Sequence, residues 1–279
     1  MGKIVWLASY PKSGNTWVRM LLNNYLSNSD RRSDLNSLDL STFGGSSKSS
    51  YRSVTEADID TCNDAEIMAL TPKAHAFITT KSKNVAFVKT HNLMSAYHDI
   101  PLITPEVTQG AIYIVRNPLD TVISVADHFG LSIDKAVDFV NDPNGSTAPN
   151  ETMVRQIFCS WSRNVESWTG GQASFPVWTV RYEDLHSNPE QAFSDFLRFL
   201  GADVDQKRLS AAIKQSSFKS LKSLEKRDGF DEKSRYSKSF FRSGKTGQWR
   251  SKLSDEQVQK IVAANRPQMA RFGYLPKGF

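Results

Sequence analysis

Cysteine is scarce: Cys62 and Cys159 are the only two in 279 residues. They lie far apart and form none of the paired spacings that zinc and redox sites use, so free thiols in a reducing compartment are expected. Long apolar runs are missing as well. Near the N-terminus only residues 4–8 form an uninterrupted apolar run, too short for the hydrophobic region of a signal peptide. No stretch approaches the ~20 residues that a bilayer-crossing helix needs. The myristoylation pattern after Met1-Gly2 fails at Trp6. With no secretory signal, the sequons Asn144-Gly-Ser and Asn150-Glu-Thr read as chance matches. A cytoplasmic location without a membrane anchor is therefore expected. No Asp/Glu constellation has metal-binding spacing, so no metal is expected. No basic helix interleaves with stacking aromatics, which argues against nucleic acid as a partner. No segment repeats.

What is present describes a folded, basic protein. Apolar residues make up 39% and charged residues 23%, and six Trp and sixteen Phe supply bulky core material. The length suits one α/β domain over residues 1–279. A net charge of +6 fits a polyanionic partner. The basic residues are scattered, with only modest density over 219–250, which favours a small anionic ligand.

Four short runs rich in Val, Ile, Trp or Phe, residues 4–9, 85–89, 111–115 and 177–180, read as buried strands. Helical patterns separate them. The predicted fold class is therefore α/β: a single P-loop-like domain with a central parallel sheet flanked by helices on both faces. The first strand passes through a Pro/Gly loop into a helix over 16–26, where Trp17, Met20, Leu21 and Tyr25 recur at helical spacing. Residues 31–51, dense in Ser, Asp and Gly, read as a surface loop, with weaker helical patterns over 56–78. Pro118 opens a helix reaching residue 129, 141–150 is rich in turn formers, and 151–168 reads as a long helix. Amphipathic helices are predicted over 189–200 and 206–214. Residues 226–239 are charged and poorly periodic. Segments 31–78 and 226–248 are expected to be mobile covers over a pocket.

A loop between a buried strand and a helix N-terminus turns unsatisfied N–H groups and the positive end of the helix dipole toward one place, where anions bind. Residues 11–17 have that placement. Gly14 permits close backbone approach, Lys12 adds a mobile positive charge, and Ser13 and Thr16 add hydroxyls. The Walker pattern is absent because the lysine precedes the glycine. On this segment alone, a structural turn with a surface lysine remains an alternative.

The segment Tyr10-Pro-Lys-Ser-Gly-Asn-Thr-Trp17 resembles the 5′-phosphosulfate loop of the sulfotransferases that use 3′-phosphoadenosine 5′-phosphosulfate (PAPS). That resemblance assigns Lys12, Ser13, Gly14, Asn15, Thr16 and Trp17 to donor binding. Three later segments follow in the family's order, so the likeness runs from residue 4 to about residue 250. Val88-Lys-Thr-His91, at the end of the second predicted strand, resembles the motif that carries the catalytic histidine. A neutral imidazole removes a hydroxyl proton near pH 7, so His91 is the candidate general base, with Lys89 and Lys12 as electrostatic helpers. His75, His98, His128 and His186 have no such support.

Tyr113-Ile-Val-Arg-Asn-Pro-Leu-Asp-Thr-Val-Ile-Ser124 resembles the family's 3′-phosphate motif, with Arg116 and Ser124 as the phosphate contacts. Phe240-Phe-Arg-Ser-Gly-Lys-Thr-Gly-Gln-Trp249 resembles the glycine-containing loop that closes over the nucleotide. It implies contacts from Phe240, Arg242, Ser243 and Gly244. Ser243 stands where many cytosolic relatives carry lysine, a lost cationic contact for which Lys245 is the nearby substitute. Trp17 and Phe218 match aromatics that flank adenine, Tyr182 matches a tyrosine near the base edge, and Ser216 is a lesser contact. Each aromatic fits a core position equally well.

The resemblance implies PAPS as donor and PAP as product, with no metal. Its likeness to soluble enzymes, including small bacterial ones that modify natural products, implies a small-molecule or natural-product acceptor with a hydroxyl. Residues 250–257 do not reproduce the dimerisation motif of cytosolic relatives, which leaves the oligomeric state open. Two alternatives stand beside this reading. A P-loop kinase using ATP needs a Walker lysine and a magnesium-binding acid. A non-catalytic nucleotide or polyanion binder needs the loops but not His91.

Overall fold

The computed structural model describes residues 2–27, 35–36 and 42–278. Of the expected cover 31–78, residues 31–34 and 37–41 lie outside the described residues. The elements in order are β1 (Lys3–Ser9), α1 (Asn15–Ser27), β2 (Thr42–Gly44), α2 (Lys48–Arg52), α3 (Asp64–Ala69), α4 (Thr71–Thr80), β3 (Val85–Thr90), β4 (Ala96–Tyr97), β5 (Ile100–Pro101), β6 (Thr108–Val115), α5 (Pro118–Phe129) and α6 (Ile133–Asn141). Then come β7 (Ser146–Thr147), β8 (Gln156–Ile157), α7 (Trp161–Thr169), β9 (Val177–Arg181), α8 (Tyr182–Ser187), α9 (Pro189–Phe199), α10 (Gln206–Gln215), α11 (Phe218–Asp228) and α12 (Asp255–Arg271).

The main sheet has the order β2-β3-β1-β6-β9. It is parallel and flanked by helices, as the alternation of apolar runs and helical patterns predicts. β1 is buried from Ile4 to Ser9 and pairs with β3 in parallel register, Ala8 opposite Thr90. Every predicted strand is present, each extended by a residue or more.

The chain divides into two compact units. The first holds Met1–Tyr10, Thr42–Tyr113 and Asp142–Thr179. There α4 packs against β1 and β3, and Trp6 donates from Nε1 to Thr108 Oγ1 at 2.9 Å while meeting His75 edge-on. The second unit holds Pro11–Ser41, Ile114–Asn141 and Val180–Phe279. There α5, α6 and α12 pack together, as do α1, α9 and α10.

Several local expectations change. The predicted helix over 151–168 begins only at Trp161, capped by the Ser160 side chain. Residues 150–152 instead form a turn, and 153–158 run on without helix. Asn150 Oδ1 accepts from the Thr152 and Met153 amides, Val154 N donates to Ser46 O, and Arg155 pairs with Asp64 at 2.7 Å. Within the expected surface loop 31–51, Thr42–Gly44 adds a parallel edge to β3 and Lys48–Arg52 forms a helical turn. A three-residue strand is too short to show alternation. The helices α6, α8, α11 and α12 carry no prediction. α12 nevertheless opens on a capping box, with Ser254 and Gln257 satisfying each other's backbone N–H.

Candidate functional site

In the first unit, His91 follows β3 directly. Its Nδ1 lies 2.8 Å from Ser9 O and 3.3 Å from Ser9 Oγ at the end of β1. A carbonyl only accepts, so Nδ1 carries the proton and donates. In the neutral ring the lone pair then sits on Nε2. Helix α7 fixes this strand end. Asn164, fully buried, donates to His91 O at 3.2 Å and to Phe158 O, and accepts from Tyr113 OH at 2.8 Å. One turn later Trp168 donates to Asn92 O at 3.0 Å. Lys89 is half-buried on β3, opposite Leu7 and Gly44. His75 is fully buried, bonded to Thr104 Oγ1, and burial pushes its pKa down to about 4.

The second unit gathers the predicted donor residues. Lys12 (φ 66°) and Gly14 (φ 99°) bend the loop through left-handed conformations, a strain that lysine adopts only where its surroundings enforce it. Arg116 enforces it from the end of β6: its Nη1 donates to Lys12 O at 2.9 Å, and its guanidinium lies 4.5 Å above the Tyr182 ring. Tyr182, where α8 begins, presses that ring on Gly14 and meets Trp17 edge-on at 5.7 Å. Burial raises the Tyr182 pKa, with the neighbouring Arg116 charge pulling the other way. Trp17 donates to Ser216 O at 2.9 Å, and the buried Ser216 hydroxyl accepts from Asn24 at 2.8 Å. Asn15 opens α1. The Ser13 hydroxyl is buried with no hydrogen-bond partner among the described residues, a donor placed in an anion-type loop.

Helix α5 supplies one face of these contacts. Its entry is built by the Asn117 side chain capping Leu119 N, with Pro118 in the first turn and Gly130 in the left-handed C-cap. Asp120, Ser124 and His128 recur every fourth residue along it. Asp120 accepts from the amides of Gly247 (2.6 Å) and Trp249 (3.1 Å). Ser124 is half-buried. His128 Nδ1 lies 3.2 Å from Lys12 Nζ, which also sits 4.4 Å over the Phe240 ring. Asp127 faces Arg242 at 3.8 Å and accepts from Ser237 at 2.8 Å.

The C-terminal loop is pinned at both ends. Glu225 accepts from Ser239 Oγ, Phe240 N and Phe241 N, at 2.8, 2.6 and 3.0 Å, and Asp120 holds the far end. Between the pins run Arg242, Ser243, Gly244 and Lys245. Gly244 (φ 62°) lies against Phe218, whose ring a Cβ would reach at 2.3 Å. Phe218, Phe240 and Trp17 pack on a core of Met20, Leu35, Leu221, Leu224, Phe230 and Phe241.

The model of the sulfotransferase domain matches residues 3–273, a span that includes every one of these groups. The chain belongs to the sulfotransferase family. Sulfotransferase 1B1 of Canis lupus familiaris is 25% identical over 276 residues, covering 95% of this chain and 82% of the relative. Flavonol 3-sulfotransferase of Flaveria bidentis is 25% identical over 287 residues, covering 92% and 78%. Two solved structures share the fold: mouse sulfotransferase SULT7A1 complexed with PAP and retinol dehydratase in complex with androsterone and inactive cofactor PAP. The first has a TM-score of 0.60 at 20% identity and covers 96% of this chain and 84% of that one. The second has a TM-score of 0.65 at 16% identity and covers 95% and 80%. Membership of this enzyme family sets aside the kinase and non-catalytic alternatives. Asp120, Glu225, His128 and Asn164 are the sulfotransferase's contacts that sequence reading missed. Each serves another residue of the site, a role that leaves no motif.

Proposed function

We propose that this chain, as one domain over 1–279, transfers a sulfuryl group from PAPS to a hydroxyl of a small-molecule or natural-product acceptor, with PAP as product. The observation that carries this reading is the His91 Nδ1 contact to Ser9 O, which makes Nε2 the proton-accepting nitrogen. Nε2 takes the acceptor's hydroxyl proton, the acceptor oxygen bonds to sulfur, and the sulfur–oxygen bond to the 5′-phosphate breaks. The bonding pair leaves on the phosphate oxygen. Lys12, the Ser13 hydroxyl and the amides opening α1 stabilise that charge, and Lys89 adds positive potential.

Arg116, Ser124, Arg242, Ser243 and Gly244 take the 3′-phosphate in this scheme, while Trp17, Tyr182, Phe218 and Phe240 border the base. Of the expected covers 31–78 and 226–248, the described residues 42–78 and 226–248 shield the site until the donor enters. Transfer from labelled PAPS to a panel of phenols and alcohols tests the reading. His91→Ala is expected to lower kcat about 10²–10⁴-fold and Lys12→Ala about 10²–10³-fold. Full turnover by both variants in an assay limited by chemistry refutes it.

A further inference from the structure

Arg19 lies one helical turn beyond Thr16 on α1. Its side chain is only 8% exposed, and a buried guanidinium needs a compensating anion. That anion comes from the irregular chain after α11. Glu232 Oε1 accepts from Arg19 Nη2 at 2.5 Å, and Glu232 Oε2 accepts from Thr16 Oγ1 at 2.9 Å. Arg19 Nη2 also reaches Thr16 Oγ1 at 3.2 Å. The carboxylate therefore takes both a hydroxyl of the anion-binding loop and the cation behind it, as one sulfate or phosphate group would.

The rest of segment 229–239 is a strap laid over neighbouring elements. The Tyr236 ring crosses Gly130 at the end of α5, and Ser237 donates to the side chain and carbonyl of Asp127. Ser239 then enters the Glu225 clamp. Phe230, which belongs to the core with Leu221, Leu224 and Phe241, and Ser237, which bonds to Asp127, are buried; the other strap residues are half-buried or exposed. It has no regular secondary structure, so beyond the anchoring Phe230 the docking of 231–239 depends on the side chains of Glu232, Tyr236, Ser237 and Ser239.

We propose that Glu232 is a displaceable internal anion of the donor site and that Arg19 is a further donor-binding residue. The 5′-phosphosulfate of PAPS, or the 5′-phosphate of PAP, exchanges with the Glu232 carboxylate at Thr16 and Arg19, and the strap is released as the nucleotide binds. This rests on the donor reading given above. Donor affinity is then set partly by competition from within the chain, so weakening the competitor strengthens binding.

Calorimetric titration with PAP and amide hydrogen exchange over 229–239 test it on the full chain. Glu232→Gln preserves shape while removing the charge, and is expected to bind PAP about tenfold more tightly. Its strap amides should exchange fast without nucleotide. In the wild type they should become fast on adding PAP. Arg19→Met is expected to weaken PAP binding while leaving the helix folded, as judged by circular dichroism. The proposal is overturned if the wild type binds PAP but Glu232→Gln binds it equally or less well, or if PAP protects the strap. Failure of both proteins to bind PAP would instead sink the donor reading, and this proposal with it.

Discussion

At residue 14 the backbone has φ 99°, and a Cβ would stand 2.6 Å from Tyr182 Cδ2. Gly14→Ala therefore combines an unfavourable left-handed alanine with a collision against a ring fixed by Arg116. A loss of at least about 2 kcal/mol in urea unfolding is expected, with PAP affinity falling in parallel. Wild-type stability would show that the loop relaxes around the methyl group. His75 makes the opposite kind of prediction, through protonation. Its folded pKa of about 4 lies below the ordinary 6.5, so between those values the unfolded chain binds more protons. Stability is then full above about pH 6.5 and declines as pH falls toward 4, by up to about 3 kcal/mol. Urea midpoints from pH 7 to 4.5 should fall less steeply in His75→Gln than in wild type, and equal slopes would assign acid sensitivity elsewhere. Lys12, Gly14, Arg116 and His91 can be nominated from sequence because each belongs to a contiguous motif. His128 cannot, because its contact with Lys12 spans 116 residues of sequence.

Among elements, α5 and α11 act through single carboxylates. Asp120 satisfies two amides of the C-terminal loop while buried itself, and Glu225 satisfies two amides and a hydroxyl. Asp120→Ala is expected to cost about 2 kcal/mol and to raise amide exchange at 247–249. Unchanged protection there would show that the loop holds its shape by other means. The four longer strands proved the most readable elements: β1, β3 and β6 are short apolar runs whose burial demands that composition, and β9, buried only at Val180, is rich in Val, Trp and Thr. Helix 151–168 failed because an apolar spacing does not reveal that Asn150 turns the chain and Ser46 and Asp64 hold it out of a helix. The opposite failure came at α12, whose signal was present as Ser254-Asp-Glu-Gln257 but sits in a charged stretch with little apolar contrast. Arg155, paired to Asp64 across 91 residues, shows why no local window could settle that region.

For the molecule as a whole, the net charge of +6 acts as a diffuse attraction for a nucleotide with several phosphates. Because screening shortens electrostatic reach from ~10 Å at 0.1 M salt to ~3 Å at 1 M, PAP affinity should weaken roughly tenfold between 0.05 and 0.5 M salt. An affinity indifferent to salt would place the whole attraction in close pairs such as those of Arg116 and Arg242. Among the described residues no helix is long and apolar enough to cross a membrane. The loop at residues 11–17 carries one more consequence. Its sequence is local, but the partners that shape it are not: Arg116, Ser216 and Glu232 reach it across 104, 199 and 216 residues. Such contacts form only after large chain loops have closed, which is slow. The loop thus acquires its working shape only after partners synthesised 104 to 216 residues later have emerged. Nascent chains arrested before residue 216 should not retain PAP, although the loop is already complete in sequence.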